Sequence, residues 1–200
     1  VHPWGTECVN ALNQSSAILI GPGLAGPNVD DSLKMLARNL WEEFEKPIIV
    51  DATALDWIPL NNGASDSPRI ITPHPGEAGR LLGMSAEQVQ RERVKSSRDL
   101  AALYKATVLL KGRHTIITQA QGPVLINSTG NEGLAQGGSG DVLAGYLAGL
   151  MAQPAFTNKT IQASAYSVWK HGRCADILDR SNSYWGMNEL IQELGHNEFH

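Results

Sequence analysis

The runs "AILI", "PIIV", "RIIT" and "TVLL" are the strongest constraint in this 200-residue sequence. Consecutive Ile, Val and Leu cannot alternate between a buried and a wet face, so strands built from them are covered on both sides. Between these runs lie segments with apolar residues at helical spacing, such as Leu33, Leu36, Leu40 and Phe44 in "VDDSLKMLARNLWEEFEK" (29–46). Strands are expected at 17–23, 47–52, 69–77, 107–112, 114–119 and 123–128, the last two joined by a turn at Gln121-Gly122. Helices are expected at 29–46, at 85–105 (where Ser85 and Gln88 form a capping box), at 139–153 and at 158–179, with a short one near the C-terminus. The alternation predicts an α/β fold, with a mainly parallel sheet, helices on both faces and an antiparallel portion at one side.

Composition narrows the function classes. A net charge of -4, without a run of five like charges, argues against a nucleic-acid partner or an anionic membrane surface. Two cysteines, Cys8 and Cys174, suit neither a disulfide framework nor a cysteine zinc site. No stretch reaches membrane-span length and the N-terminus has no signal-peptide core, so the expected compartment is the cytoplasm. No repeat or linker divides the chain, and residues 1–200 read as a single domain.

In open parallel sheets, ligands bind beyond the carboxyl ends of the strands. Gly21-Pro22-Gly23, Asp51, His74, Lys111 and the glycine cluster of "STGNEGLAQGGSGDVLAGYLAG" (128–149) all follow strands. In "GGSGD" the glycines let backbone amides converge at a helix start, an anion site that needs no lysine. Asp141 then either caps that helix or takes a proton from a hydroxyl as a phosphoryl group arrives. "TPHPGE" is either a rigid turn with Glu77 in the next helix or a holder for the His74 imidazole. Lys111 either meets a phosphate or is solvated. Asp51 either orients a ligand, water or metal, or caps. His171 and Trp169 read as packing residues. No G-x-S-x-G elbow or metal-cage spacing is present.

In this order, "IGPGL", "IIVDATAL", "ITPHPGEAGRLLG", "VLLKGRHT" and "GNEGLAQGGSGDVLAGYLAGLMAQ" resemble the ADP/ATP-dependent (S)-NAD(P)H-hydrate dehydratases, over residues 17–179. "GGSGD" alone marks only the wider ribokinase-like superfamily. The resemblance implies a ribokinase-like three-layer α/β/α fold. It also implies repair of NADH or NADPH hydrated on the nicotinamide ring, by phosphorylation of the added hydroxyl from ADP or ATP and elimination of phosphate. By motif position, Asp141 would activate the hydroxyl and Gly138, Ser139 and Gly140 would form the anion hole. Lys111, Gly112, Arg113, His114, Thr115 and Gly140 would line the nucleotide site. Gly23 and His74, with Asp141, would contact the hydrated dinucleotide, and Asn131 and Glu77 would lie near phosphate and metal. Mg²⁺ would be held by phosphates and water rather than by a dedicated protein cage, and a homo-oligomer, tetramers included, is implied.

The chain departs from the family pattern at Thr53, Glu132 and Leu134, where aspartate, proline and methionine are usual, and it has only a short segment ahead of "GPGL". The domain thus reads as N-terminally short. Two other functions compete with the dehydratase: a small-molecule kinase of the same superfamily, for a vitamin precursor or sugar, and a non-catalytic nucleotide-binding fragment.

Overall fold

The computed structural model describes residues 11–12, 14–26, 29–60, 65–156, 158–181 and 184–196. Six strands form one sheet: β1 (Ile18–Ile20), β2 (Ile48–Val50), β3 (Arg69–Ile71), β4 (Thr107–Leu110), β5 (Ile116–Thr118) and β6 (Val124–Ile126). Their spatial order equals their chain order. Strands β1 to β4 are parallel, whereas β4–β5 and β5–β6 pair antiparallel, as the close spacing after residue 107 predicts.

Adding each parallel strand on the same side, through right-handed crossovers, places every intervening helix on one face. That face carries α1 (Asp31–Glu43), α2 (Pro75–Leu82), α3 (Ala86–Arg91) and α4 (Arg93–Tyr104). Helices α5 (Ser139–Met151) and α6 (Thr160–Ser181) cover the other, and α7 (Met187–Gly195) packs on α5 and α6.

The two-residue period of the strands sorts the core. Ile48, Val50, Ile71, Val108 and Leu110 face the first layer, with Trp41, Ala78, Val89 and Leu100. Ile49, Ile70, Leu109 and Ile117 face the second, with Leu143, Leu147, Ala163 and Val168. Each fully buried Ile or Leu contributes roughly 1.5–3 kcal/mol relative to exposure. A third cluster joins Cys174, Ala175 and Leu178 of α6 to Trp185, Leu190 and Leu194. Among the described residues, no helix is long and apolar enough to cross a membrane.

Two expectations need correction. The strand expected over 69–77 stops at Ile71, because Pro75 enters α2 at a first-turn position, where its missing N–H has no helical partner to lose. The helix expected over 85–105 breaks at Glu92, whose φ of -123° and ψ of 40° are not helical. The break coincides with a tertiary demand: the Arg93 guanidinium reaches the carbonyls of Leu110 at 3.0 Å and His114 at 3.4 Å.

Candidate active site

The exits of β1 and β2 touch. A Cβ on Gly21, whose φ is +128°, would lie 1.7 Å from the Asp51 carbonyl oxygen, so only glycine permits this approach. Asp51 is 1% exposed and makes no capping bond to the 3-10 turn Ala52–Asp56 that follows it. Its carboxylate Oδ1 instead accepts the Thr72 hydroxyl at 2.7 Å and the Lys111 ammonium at 2.6 Å. The capping alternative for Asp51 therefore fails, and so does the solvated alternative for Lys111.

Next along the sheet, His74 caps α2. Its Nδ1 accepts the N–H groups of Gly76 at 3.0 Å and Glu77 at 3.3 Å, while Glu77 Oε2 accepts the His74 N–H at 2.7 Å. An accepting Nδ1 puts the ring proton on Nε2, which lies 3.4 Å from Glu77 Oε1. The imidazole is thus held in one tautomer with half of its side chain exposed. Lys111 Nζ stands 4.0 Å from Glu77 Oε2, which places one cation between two buried carboxylates.

The start of α5 closes on this cluster. A Cβ on Gly140 would meet Lys111 Nζ at 3.2 Å and Asp51 Oδ2 at 4.0 Å, so the absent side chain lets the ammonium approach the helix terminus. The N-cap is Gly138, at φ +90°, and no side chain bonds the first-turn amides. The Ser139 N–H turns back to the Gln136 carbonyl at 3.3 Å, whereas the Gly140 and Asp141 N–H groups and the helix dipole keep their capacity for an anion. Asp141 lies in that first turn, exposed, without a hydrogen bond or ion pair to any described residue. Its alternative reading as a cap fails, because the cap position belongs to Gly138.

Ser139, by contrast, is buried, with Oγ 3.5 Å from Nε2 of His171. Burial pushes the His171 imidazole down to about 4, against a smaller opposing pull from Ser139. His171 is indeed packed inside, whereas Trp169 is 40% exposed and leans on the Tyr166 ring.

The segment from Lys111 to Thr115 forms a tight connection. Gly112 has φ +131° and faces the Arg93 guanidinium, and the Thr115 hydroxyl donates to the Gly112 carbonyl at 3.1 Å. His114, at φ +56°, lies with Nδ1 3.2 Å from the Asn127 carbonyl oxygen. Arg113 is exposed and makes no hydrogen bond or ion pair with the described residues. Gly23, at φ +73°, has open space where a Cβ would project. Asn131 caps the 3-10 turn Glu132–Leu134 and also binds Asp176 of α6.

The structure thus joins Asp51, Thr72, His74, Glu77, Lys111 and Gly140 by direct approach, with Ser139 and Asp141 on the same helix start. Gly23, Arg113 and Asn131 make no direct link to that group. Thr72, Arg93 and Asp176 were not singled out from the sequence. Of the departures, Thr53 lies in the turn after Asp51 and Glu132 is exposed, while Leu134 packs against Gly130 and the third core cluster. Among the described residues, no group of three or more His, Cys, Asp or Glu is arranged to hold a metal. A groove of about 800 Å³ at the opposite end of the sheet, lined by Lys46, Pro47, Ser67, Pro68 and Met151, contains no candidate residue.

Comparison with known proteins places this geometry. A family model described as NAD(P)H-hydrate dehydratase matches residues 1–194. A curated relative from Neisseria meningitidis, named ADP-dependent (S)-NAD(P)H-hydrate dehydratase, is 37% identical over 173 residues, which cover 83% of this chain and 56% of the relative. The crystal structure of the ADP/ATP-dependent NAD(P)H-hydrate dehydratase from Bacillus subtilis, co-crystallised with ATP/Mg²⁺, superposes with a TM-score of 0.79 at 31% identity. That match covers 90% of this chain and 62% of the other. A ribokinase-like superfamily protein from Enterococcus faecalis superposes with a TM-score of 0.74 at 28% identity, covering 94% of this chain and 64% of the other. The fold is ribokinase-like, and the chain spans a little over half the length of the curated relative.

Proposed function

Because the chain belongs to the NAD(P)H-hydrate dehydratase family, we propose that it restores hydrated NADH or NADPH to the reduced dinucleotide at the expense of ADP or ATP. The observation that carries this reading is the start of α5: an uncapped helix terminus with the uncommitted Asp141 carboxylate in its first turn. Phosphoryl transfer needs mainly positioning and electrostatic stabilisation, and both are available there without a covalent nucleophile.

In this mechanism, Asp141 accepts the proton of the ring hydroxyl as its oxygen attacks the terminal phosphorus of the nucleotide. The bond to the leaving phosphate oxygen breaks, and the nucleotide departs one phosphate shorter. Amides of Gly138 and Gly140, joined by that of Ser139 when it releases its long bond to the Gln136 carbonyl, meet the charge on the transferred group. In the second stage the ring C–O bond breaks with its electron pair leaving on phosphate. A proton is lost from the adjacent carbon and the ring double bond re-forms.

Lys111 meets the nucleotide from its place between Asp51 and Glu77, with Gly112, Arg113, His114, Thr115 and Gly140 completing that site. Gly23 and the fixed face of His74 contact the hydrated dinucleotide. Mg²⁺ would neutralise phosphate charge. A hard cation of this kind is held through phosphates, water and one or two carboxylates, so Glu77 and Asn131 serve its surroundings. The 200 residues act as one domain. Assembly as a homo-oligomer, tetramers included, and a cytoplasmic location complete the reading.

The test incubates the protein with hydrated NADH and ADP, then ATP, and follows the absorbance of regenerated NADH. Asp141→Asn is expected to lower kcat about 1,000-fold or more, with ADP affinity by calorimetry changed less than about threefold. Loss of binding and turnover together would return Asp141 to a structural role. A stable phosphorylated product would favour the kinase, and ADP binding without turnover in the wild type would favour a non-catalytic fragment.

A further inference from the structure

One carboxylate beside the glycine-rich segment has no part in that mechanism. Asp176, half-buried on α6, accepts the Gly130 N–H on Oδ2 at 3.0 Å and an Nδ2–H of Asn131 on Oδ1 at 3.3 Å. Its neighbourhood is built for close approach. A Cβ on Gly172 would lie 2.4 Å from Thr129 Oγ1 and 2.7 Å from the Thr129 carbonyl carbon. A Cβ on Gly130, at φ +98°, would lie 3.3 Å from the Gly172 Cα. The Thr129 hydroxyl adds a bond to the Trp169 carbonyl at 2.8 Å. Backbone therefore packs directly on helix backbone, which removes play from the segment that carries Asn131.

Asn131 is fixed at both ends of its carboxamide. Its Oδ1 accepts the Gly133 N–H at 2.9 Å, and its Nδ2 donates to Asp176. A flipped amide would set oxygen against the Asp176 carboxylate and NH₂ against the Gly133 N–H, so a single orientation survives. The second Nδ2–H has no partner among the described residues.

We propose that Asp176 is a positioning residue for phosphoryl transfer, orienting the Asn131 carboxamide so that its remaining N–H serves the transferred phosphate. This rests on the reading of Asn131 given under Proposed function. A carboxylate is required because both incoming groups are donors. An asparagine of the same shape would turn a donor toward one of them.

Asp176→Asn is expected to lower kcat for NADH regeneration about 30-fold while KM for hydrated NADH stays within about twofold. Combined with Asn131→Ala, it is expected to fall within about threefold of the worse single variant, since both remove the same interaction. Thr129→Val loosens the same segment without touching the carboxamide and is expected to keep kcat within about threefold. Multiplying effects in the double variant, or a Thr129→Val loss as large as that of Asp176→Asn, would make Asp176 a mere fastener and overturn the proposal. Should Asp176→Asn not fold, Asp176→Glu replaces it: the charge is kept but displaced by one methylene, and a kcat loss that vanishes in the Asn131→Ala background is again required. A wild-type protein that regenerates no NADH overturns the dehydratase reading instead. The positioning role is then read from Mg·ADP affinity, which Asp176→Asn and Asn131→Ala must weaken equally and non-additively. Unchanged affinity would overturn it.

Discussion

Each end of the sheet holds a cation, buried at one end and part-buried at the other, and the two ends treat it in opposite ways. At the amino ends, Arg69 is 3% exposed and makes no ion pair with a described carboxylate. Its guanidinium donates to the carbonyls of Trp41 at 2.6 Å, Phe44 at 2.7 Å, and Lys46 and Ser67 at 3.2 Å each. Two of those carbonyls lie at the C-terminal end of α1, where orphan acceptors and the negative end of the dipole favour a cation. At the carboxyl ends, Lys111 donates to Asp51, stands 4.0 Å from Glu77 and approaches the side-chain-free Gly140. An ammonium has three donors, and the contacts here use one. Arg69 has spent its bonding capacity on the fold, whereas Lys111 holds some in reserve beside an uncapped helix start. Burial alone does not separate a fastener from a functional group; unused hydrogen-bonding capacity does.

Arg69→Met is the strongest challenge to that distinction. It removes the fork and leaves several buried carbonyls without donors, a loss on the order of 4 kcal/mol, or about 10 °C in Tm for a chain of this size. Burial holds the guanidinium down to about 10, which still leaves it charged at neutral pH among carbonyl acceptors. Scanning calorimetry measures the stability loss, and titration of the folded variant is expected to show ADP affinity within about twofold of wild type. A wild-type Tm, or a large change in ADP affinity, would break the contrast between the two ends.

The second challenge strikes Lys111. Lys111→Met strands the Asp51 carboxylate, 1% exposed, and is expected to destabilise by about 3 kcal/mol. ADP affinity is expected to fall about tenfold or more. Adding Asp51→Asn removes the stranded charge while keeping an acceptor for Thr72, so denaturant unfolding should show most of the stability restored. ADP affinity should stay low. If affinity returned along with stability, Lys111 would be a fastener of the same kind as Arg69.

This contrast also marks where sequence reading stops. The sheet, its two covered faces and the antiparallel side were legible because β1 to β4 each carry two or more consecutive Ile, Val or Leu, and their period assigns each side chain to a layer. The start of α5 was legible because a glycine cluster before an apolar helical run has few other conformational uses. The end of β3 was overrun although Thr72 and Pro73 follow "RII" directly, and Pro75 is itself a helix-start signal. The break at Glu92 carries no Gly or Pro, since its cause is the set of carbonyls that Arg93 reaches from another element. Lys111 meets Asp51 across 60 positions and Asn131 meets Asp176 across 45, and no local pattern encodes such pairs. Asp51 read equally as a cap or as a group orienting a ligand, water or metal, and only the parallel register, which brings Thr72 and Lys111 to it, decides against the cap.

A buried titratable group at the carboxyl ends refines the rule by carrying no charge at neutral pH. His171 touches the same helix start through Ser139, and burial lowers its folded value to about 4 from the ordinary 6.5. Between those values the unfolded chain takes up a proton that the folded chain refuses. Stability is therefore fully present above about pH 6.5 and declines as pH falls toward 4, where the folded imidazole also protonates. The loss across that window is on the order of 3 kcal/mol, no larger than either cation effect. His171→Gln keeps a polar partner for Ser139 but does not titrate, so its unfolding free energy should fall less steeply than wild type between pH 6.5 and 4. Parallel profiles would mean that the folded imidazole takes up its proton as readily as the unfolded one. Below about pH 6.5 it would then be a cation alongside Lys111 at the carboxyl ends, and the division between spent and reserved donors would have to be redrawn around it.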